Sequence, residues 1–258
     1  MKNIIYKPTN YPSDVTDEEW KIIKPLIPVG NKSNWHKRSL VNAVYYIDKT
    51  GCQWRYLPHD YPPHDTVWSF FRRARDSGLW ERINEALVKE TRLKAGRGES
   101  PTYGIIDSQS VKTIGAGEGR GIDGGKKIKG RKRHIMVDIM GNLLAAVVHA
   151  ANINDTKGGM EVASRAFDKY PTIERFCGDE GYRGTFVDYI DWEFDLGVDI
   201  FERVTSKFVL LPKRWVVERT FAWLGNYRRL SKDYEITIES AEPFVMISHS
   251  RVLLRRLC

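Results

Sequence analysis

The spacing of the apolar residues changes once along this chain, at a Gly-rich, charged linker of residues 94–101. Before the linker, apolar side chains recur at helical spacing, and turns that contain Pro or Gly separate short helices. After it, short apolar runs alternate with longer amphipathic segments, as strands alternate with helices. We therefore predict a helical region in residues 1–95 and an α/β domain, with a mixed sheet flanked by helices, in residues 96–258.

The helical region presents arginines on one face. Helices are predicted at 16–26, where a capping box opens the first one, at 38–49, from residue 65 or 66, and from residue 79. Such helices could form a helix-turn-helix unit that binds DNA, or equally a plain bundle with solvated arginines. We expect Trp35, Trp54 and Trp68 to belong chiefly to the core, although such rings can also stack on a flipped base.

Five apolar runs after the linker have the length and composition of strands, at 103–107, 134–138, 143–150, 174–179 and 198–204. Helices are predicted from residue 155 or 156 to 167, over 184–196, within 213–234 and over about 240–257. Asp155 is interpreted as a helix cap. His134 and Asp138 alternate with apolar residues, so they are interpreted as the exposed side of a hairpin strand, with a place near a metal site as the alternative.

Segment 115–130 is rich in Gly and Lys and lies between two predicted strands. It lacks the GxxxxGK[ST] pattern of a nucleotide-binding loop. We interpret it as a mobile loop that follows the phosphates of a nucleic acid.

Net charge is +8, and the positive charge is concentrated in two stretches. Residues 112–133 contain eight Lys or Arg against two acids, and residues 203–232 contain eight more against Glu218 alone. Clustered cations of this kind suit a nucleic-acid backbone. The candidate DNA contacts are Lys112, Lys126, Lys127, Arg131, Arg133, Arg214, Arg219, Arg228 and Arg229.

The three cysteines are far apart and form no CxxC pair, which argues against a zinc site or a disulfide framework. The N-terminus lacks the apolar core of a signal peptide, and no apolar run approaches 18 residues. We expect a cytoplasmic protein with reduced thiols and no membrane partner.

Three acids stand where chemistry could occur. Asp107 and Asp179 each end an apolar strand, and active sites of open α/β sheets gather at such ends. Glu218 lies in the amphipathic helix of residues 213–234, beside the apolar stripe and on a row with Ala222 and Gly225. Each acid alone could be a cap or a surface charge. Together they predict a site for Mg²⁺ or Mn²⁺, since hard oxygen ligands select these ions. Two such ions could support phosphodiester chemistry.

Four motifs, in this order, resemble the DDE transposases of bacterial insertion sequences, specifically the insertion-sequence-five family. They read IIDSQSVK at 105–112, GRKRHIMVD at 130–138, GDEGYRG at 178–184 and RWVVERTFAWL at 214–224, the last followed by YRRLSKDYE. The N-terminal stretch LPHDYPPHDTVWSFFRRARDSGLWERI resembles the helical domain of the same family, so the resemblance covers essentially the whole chain.

The resemblance implies an RNase H-like fold in which Asp107, Asp179 and Glu218 bind two divalent metal ions. It implies an enzyme that binds the terminal inverted repeats of its element, cleaves a strand there and joins the end to target DNA. A homodimer that brings two DNA ends together, associated with the bacterial nucleoid, is expected. Two alternatives stay open: a nuclease that cuts without joining, and a non-catalytic DNA-binding protein that uses mainly residues 1–95.

Around its glutamate, the wider family has the signature Tyr, two residues, Arg, three residues, Glu, six residues, Lys. Arg214 and Glu218 fit it, whereas Leu211 and Gly225 stand at the Tyr and Lys positions. We expect Arg228 or Arg229, one turn further on, to supply the missing contact with a DNA phosphate.

Overall fold

A computed structural model of the 258-residue chain describes residues 8–28, 34–201 and 214–258. The first helices are α1 (Asp17–Ile23), α2 (Lys37–Thr50), α3 (His64–Asp76) and α4 (Leu79–Lys94). Helix α1 starts with the predicted capping box, because the Thr16 side chain accepts from the Glu19 backbone and the Glu19 side chain accepts from the Thr16 backbone. The predicted linker lies between α4 and the first strand.

The second half alternates strands and helices. Its strands are β1 (Tyr103–Lys112), β2 (Gly121–Asp123), β3 (Ile128–Val137), β4 (Leu143–Ala150), β5 (Arg175–Asp179) and β6 (Gly197–Phe201). Its helices are α5 (Asp155–Lys169), α6 (Thr185–Phe194), α7 (Arg214–Leu224) and α8 (Ile238–Leu257). The predicted strand at 198–204 is observed only as far as Phe201, since residues 202–213 lie outside the described part.

The strands form one mixed sheet, as predicted. Five of them run in the order β2-β3-β1-β5-β6, and β4 pairs with β3. The pairs β1–β3 and β3–β4 are antiparallel, whereas β1–β5 and β5–β6 are parallel. Helix α5 packs on one face of the β1–β3 region and α7 on the other. The carboxyl end of β5 therefore opens between two helical layers.

Two strands are longer than the sequence predicts. Residues 108–112 extend β1, and residues 128–133 begin β3. The two segments pair with each other, from Ser108 opposite His134 to Lys112 opposite Gly130. The first part of β3 also pairs with β2. Residues 121–130 are thus a β-hairpin, called here the hairpin arm, within the segment expected to be an irregular loop. Its Gly and Lys residues have low strand propensity, so the sequence did not indicate strands there.

The interpretation of His134 and Asp138 as exposed was wrong, since both are fully buried. Asp138 lies at the end of β3 and forms an ion pair with Arg92 of α4, with 2.6 Å between Oδ2 and Nη1. Its Oδ1 accepts hydrogen bonds from the backbone of Met140 and Asn142. Asp138 thereby ties the β3–β4 turn to the helical region, which a charged residue next to a turn does not reveal in the sequence.

Helix α8 joins the two halves. It contacts α2 and α4 on one side and β4 on the other, and one continuous apolar core includes residues of both halves. Buried polar contacts fix its position: Arg251 Nη1 lies 2.8 Å from Glu19 Oε2, and His249 Nδ1 lies 2.8 Å from Asn84 Oδ1. The C-terminal helix therefore belongs as much to the helical layer as to the sheet.

Candidate active site and nucleic-acid surface

Asp107 and Asp179 lie on neighbouring parallel strands and face the same side of the sheet. The last β1–β5 pair is Ile105 with Cys177, and each aspartate lies two residues further along its strand. A Cβ on Gly178 would lie 3.0 Å from Ile106 Cγ2, so the strands are still adjacent between those positions. Since side chains alternate along strands, the two carboxylates lie on one face of the sheet. The predicted pair is therefore brought together, but only Asp179 ends its strand. Asp107 lies within β1, because Ser108–Lys112 continue to pair with β3.

Both carboxylates are half-buried and held by the backbone that follows them. Asp107 Oδ1 accepts from Ser108 N at 2.7 Å, and Asp179 Oδ1 accepts from Gly181 N at 3.0 Å. A Cβ on Gly181 would lie 3.0 Å from that Asp179 oxygen, which is tighter than ordinary contact. Gly181, the second residue after Asp179, thus lets the chain turn closely around the carboxylate.

Helix α7 covers the face to which Asp107 points. A cavity of about 100 Å³ lies between α7 and the side chains of Gln109, Val111 and Arg133. Gln109 and Val111 alternate along β1 with residues that point to the opposite face, and Asp107 has the same alternation as they do. Val217 is buried beneath the helix, and Thr220 Oγ1 donates to Gly141 O at 3.0 Å. Glu218 lies on the exposed side of α7. Its neighbours Ala222 and Gly225 are exposed too, so the row of small residues expected beside it is present.

The donor chemistry of the three acids suits a hard divalent cation, because it consists of carboxylate oxygens without Cys or His. Asp107, Asp179 and Glu218 are the residues that could hold such an ion. Across residues 8–28, 34–201 and 214–258, no group of three or more His, Cys, Asp or Glu side chains is arranged to hold a metal ion. Two of the predicted ligands lie on adjacent strands, and the third lies on α7, which packs against β1.

The hydroxyl of Tyr182 is influenced by the charges of these aspartates. Tyr182 belongs to the short turn after β5 and is almost completely buried. Burial, followed by the negative charges of Asp107, Asp155 and Asp179, raises the pKa of Tyr182 well above its usual value. A third aspartate, Asp155, thus lies near the predicted pair.

Asp155 is not the cap of its helix, contrary to the interpretation from the sequence. The N-cap of α5 is Asn154, and Asp155 is the first helical residue. Its Oδ1 accepts hydrogen bonds from Ser108 Oγ and Lys132 Nζ, each at 2.9 Å. These partners come from β1 and β3, far away in sequence, so no local pattern pointed to them.

Five of the nine candidate DNA contacts expose a cation or part of one. Lys112, Lys126, Lys127 and Arg228 are exposed, and Arg219 is half-buried. Lys126 Nζ lies 3.4 Å from Ser108 O, which places the tip of the hairpin arm near Asp107. The Arg219 guanidinium lies over the rings of Trp215 and Trp223, with centroid distances of 4.2 and 4.6 Å.

Three others are buried and have partners inside the protein: Arg131, Arg133 and Arg229. Arg131 Nη1 lies 3.1 Å from Asp233 Oδ1, and Arg133 Nη1 donates to Leu230 O. Arg229 Nε donates to Glu235 Oε1 at 2.7 Å. These guanidinium groups hold the segment after α7 against the sheet, so they are not available to DNA. Arg214 begins α7, and its side chain lies outside the described part, as does Leu211.

Of the two arginines expected to replace the missing lysine of the signature, only Arg228 is exposed. No helix within the described residues is both long and apolar enough to span a bilayer.

Comparison with known proteins gives two family matches. Residues 98–251 match the family described as "Transposase DDE domain", and residues 15–84 match the one described as "Putative transposase of IS4/5 family". A "Putative transposase for insertion sequence element IS402" from Burkholderia cepacia is 35% identical over 119 residues, which are 41% of this chain and 54% of that protein. An "Insertion element IS402 uncharacterized 16.2 kDa protein" from the same organism is 27% identical over 114 residues, 40% of this chain and 76% of that protein.

Proposed function

We propose that this chain, which belongs to the DDE transposases of insertion sequences, binds the terminal inverted repeats of its own element, cleaves a strand there and transfers the end into target DNA. The match to the DDE domain confirms the predicted family and its RNase H-like fold. The observation that carries the finer proposal is the placement of Asp107 and Asp179 side by side on one face of the sheet.

In this proposal Asp107, Asp179 and Glu218 hold Mg²⁺ or Mn²⁺, with two ions in the complete site. When bound, such ions activate a nucleophilic oxygen and stabilise the leaving oxygen of a phosphodiester. The chain supplies carboxylates that its own backbone orients, through the N–H groups of Ser108 and Gly181. Pre-oriented ligands lose little conformational entropy when the ion binds, which favours tight and specific binding.

The exposed cations define a path for the DNA backbone. The hairpin arm offers Lys126 and Lys127, and β1 offers Lys112 at its end. Arg219 and Arg228 continue the charge on the side of α7. We propose that these groups, together with Arg214, bind phosphates and so bring the scissile bond to the aspartates. A second copy of the chain would hold the other end of the element in a homodimer.

The test is cleavage of a labelled duplex that carries the terminal repeats, with Mg²⁺, Mn²⁺ or EDTA. Wild-type protein is compared with Asp179→Asn, Glu218→Gln and Glu180→Gln. The last variant is a matched control, because Glu180 is an exposed acid next to Asp179 that we assign no catalytic role. Metal-dependent nicking at the repeat boundary, lost in the first two variants and kept in the control, is the expected result.

The same assay separates the alternatives. Pre-cut ends that give no joined products would favour a nuclease that does not transfer strands. Specific binding of the repeats without nicking under any metal would favour a non-catalytic DNA-binding protein. Retained cleavage in Asp179→Asn would end the assignment of this residue.

A further inference from the structure

On the face of the sheet opposite α7, Asp155 is the centre of a buried polar group. We call this group the Asp155 cluster, and its members are Ser108, Lys132, His134, His149 and Asp155. Ser108 lies on β1, Lys132 and His134 on β3, and His149 on β4. Asp155 reaches them from the first turn of α5, where the positive end of the helix dipole also favours a carboxylate.

Oxygen Oδ1 of Asp155 has two strong donors. Ser108 Oγ and Lys132 Nζ each lie 2.9 Å away, and His134 Nε2 lies at 3.5 Å. Burial lowers the pKa of His134 to about 4, so its ring is neutral and Lys132 supplies the opposite charge. Burial alone would raise the pKa of Asp155, but hydrogen bonds from His134, Lys132 and Ser108 hold it well below its usual value. Asp155 is therefore an ionised, internally bonded carboxylate.

Each carboxylate oxygen of Asp155 lies near a residue whose backbone N–H binds one of the two predicted metal ligands. Through Ser108, it fixes the residue whose backbone N–H donates to Asp107. Its other oxygen, Oδ2, faces the turn after β5: a Cβ on Gly181 would lie 3.7 Å from it. The N–H of that same Gly181 donates to Asp179. One carboxylate thus bonds to Ser108, whose backbone orients Asp107, and lies close to Gly181, whose backbone orients Asp179.

Tyr182 lies beside the same residues. Its side chain is almost completely buried, and its ring centroid lies 6.0 Å from that of His134. Burial and the charges of Asp107, Asp155 and Asp179 raise the pKa of its hydroxyl, whereas a hydrogen bond with Ser108 lowers it. Tyr182 is thus close to Asp155, to Ser108 and to both predicted metal ligands.

We infer that Asp155 is a positioning residue of the metal site: through Ser108 and the Gly181 turn, it aligns Asp107 and Asp179 from the opposite face of the sheet. This inference rests on the proposed function, since it assumes that the two aspartates bind the metal. Residues that orient metal ligands commonly change metal affinity by 10–100-fold when they are replaced. A purely structural ion pair would change stability and leave the affinity for the metal unaltered.

The test measures Mn²⁺ binding to the full-length protein without DNA, by calorimetry, beside a urea unfolding curve. Asp155→Asn keeps the size of the side chain and removes its charge. We expect the dissociation constant for Mn²⁺ to rise about tenfold or more, and the Mn²⁺ concentration needed for half-maximal cleavage to rise in parallel.

Asp138→Asn is the matched control. Asp138 is a buried aspartate at the end of β3, and its partners within the described part of the chain are Arg92, Met140 and Asn142. It should lose stability as Asp155→Asn does, yet bind Mn²⁺ as the wild type does. If Asp155→Asn fails to fold, Ser108→Ala replaces it, because this change removes only the link to Asp107, and a three- to tenfold weaker affinity is expected.

A folded Asp155→Asn protein, or in its place a folded Ser108→Ala protein, that binds Mn²⁺ as tightly as the wild type would overturn the inference. A different result marks failure of the proposed metal site itself: Mn²⁺ binding that is unchanged in Asp107→Asn. Failure of the transposition reaction is distinct again, because the binding assay contains no DNA.

Discussion

The hairpin arm and the start of β3 belong to one basic stretch of the chain, but their cations have opposite surroundings. Lys126, Lys127 and Lys129 of the arm are exposed. Arg131, two residues further along, is fully buried. It donates to Glu118 O, Glu235 O and Ile236 O and pairs with Asp233, more than 100 positions away in the sequence. The positive charge of this stretch therefore serves two purposes, and only the exposed part is available to DNA.

A cluster of cations in the sequence is therefore not a binding surface, because the fold determines which of its members are exposed. In the arm, the lysines have few partners and stay solvated. At the junction formed by Arg131, Arg133 and Arg229 with Asp233 and Glu235, desolvated guanidinium groups are matched to carboxylates and backbone oxygens. The comparison predicts that replacing junction residues changes folding, whereas replacing arm residues changes DNA binding.

The largest effect is expected at the junction. Arg131→Met keeps much of the side-chain volume but leaves Asp233 buried without its cation, and such a loss costs about 3–5 kcal/mol. Urea unfolding, followed by circular dichroism, measures the change in the free energy of unfolding. Lys129→Met, an exposed position on the same strand, is the control and should change it by less than about 0.5 kcal/mol. Equal stability of the two variants would contradict the distinction between buried and exposed cations.

The arm should give the largest effect on DNA binding. Replacing Lys126, Lys127 and Lys129 by Gln removes three exposed cations, so the slope of log K against log salt should become less steep by up to about 2.7. Fluorescence anisotropy with a labelled duplex at several salt concentrations measures it. The unfolding midpoint should stay at the wild-type value. A stable variant with an unaltered salt slope would remove the arm from the DNA path.

Local signals were enough to predict that Asp107 and Asp179 lie on strands, because an apolar run stops at each acid. Parallel pairing of β1 with β5 places the two residues side by side, although Asp107 lies within β1 and not at its end. The helix that carries Glu218 was visible from its apolar period. The sequence could not show that Arg131 meets Asp233, or that Asp155 meets Ser108 and Lys132. These contacts depend on strand register and on segments that are distant in the chain, which periodicity does not encode.

Asp48 is a buried acid that, within the described residues, forms no ion pair, unlike the acids of the junction. Asp48 of α2 is fully buried; Ser248 Oγ donates to its Oδ1 at 2.7 Å, and its Oδ2 has no hydrogen-bond partner within the described residues. Burial is the main cause that raises the pKa of Asp48 to about 8. The unfolded chain binds this proton only near pH 4, so the folded state holds it more tightly.

The contribution of Asp48 to stability is therefore complete below about pH 4 and is lost as the pH rises through about 8. Asp48→Asn should remove this dependence and raise the free energy of unfolding at pH 8 by about 1–2 kcal/mol. Urea unfolding of the wild type and of Asp48→Asn at pH 5 and pH 8 measures this change. Subtracting the free energies of unfolding of the two proteins at each pH cancels the contribution of the buried histidines, which both proteins share. A pH dependence that is identical in the two proteins would show that Asp48 is not responsible.

The smallest effect on stability is expected from the neighbour of a junction residue. Arg228 and Arg229 are adjacent in sequence, but Arg228 is exposed whereas Arg229 pairs with Glu235. Arg228→Gln should change the free energy of unfolding by less than about 0.5 kcal/mol, because exposed charges contribute little. It should also make the salt slope of DNA binding less steep by about 0.9 if Arg228 contacts one phosphate. Arg229→Gln is the matched variant and should lose stability instead, because it leaves Glu235 largely buried without its cation. A reversed pattern, with Arg228→Gln unstable and Arg229→Gln weak only in DNA binding, would contradict the assignment of the two arginines and with it the division between junction and surface.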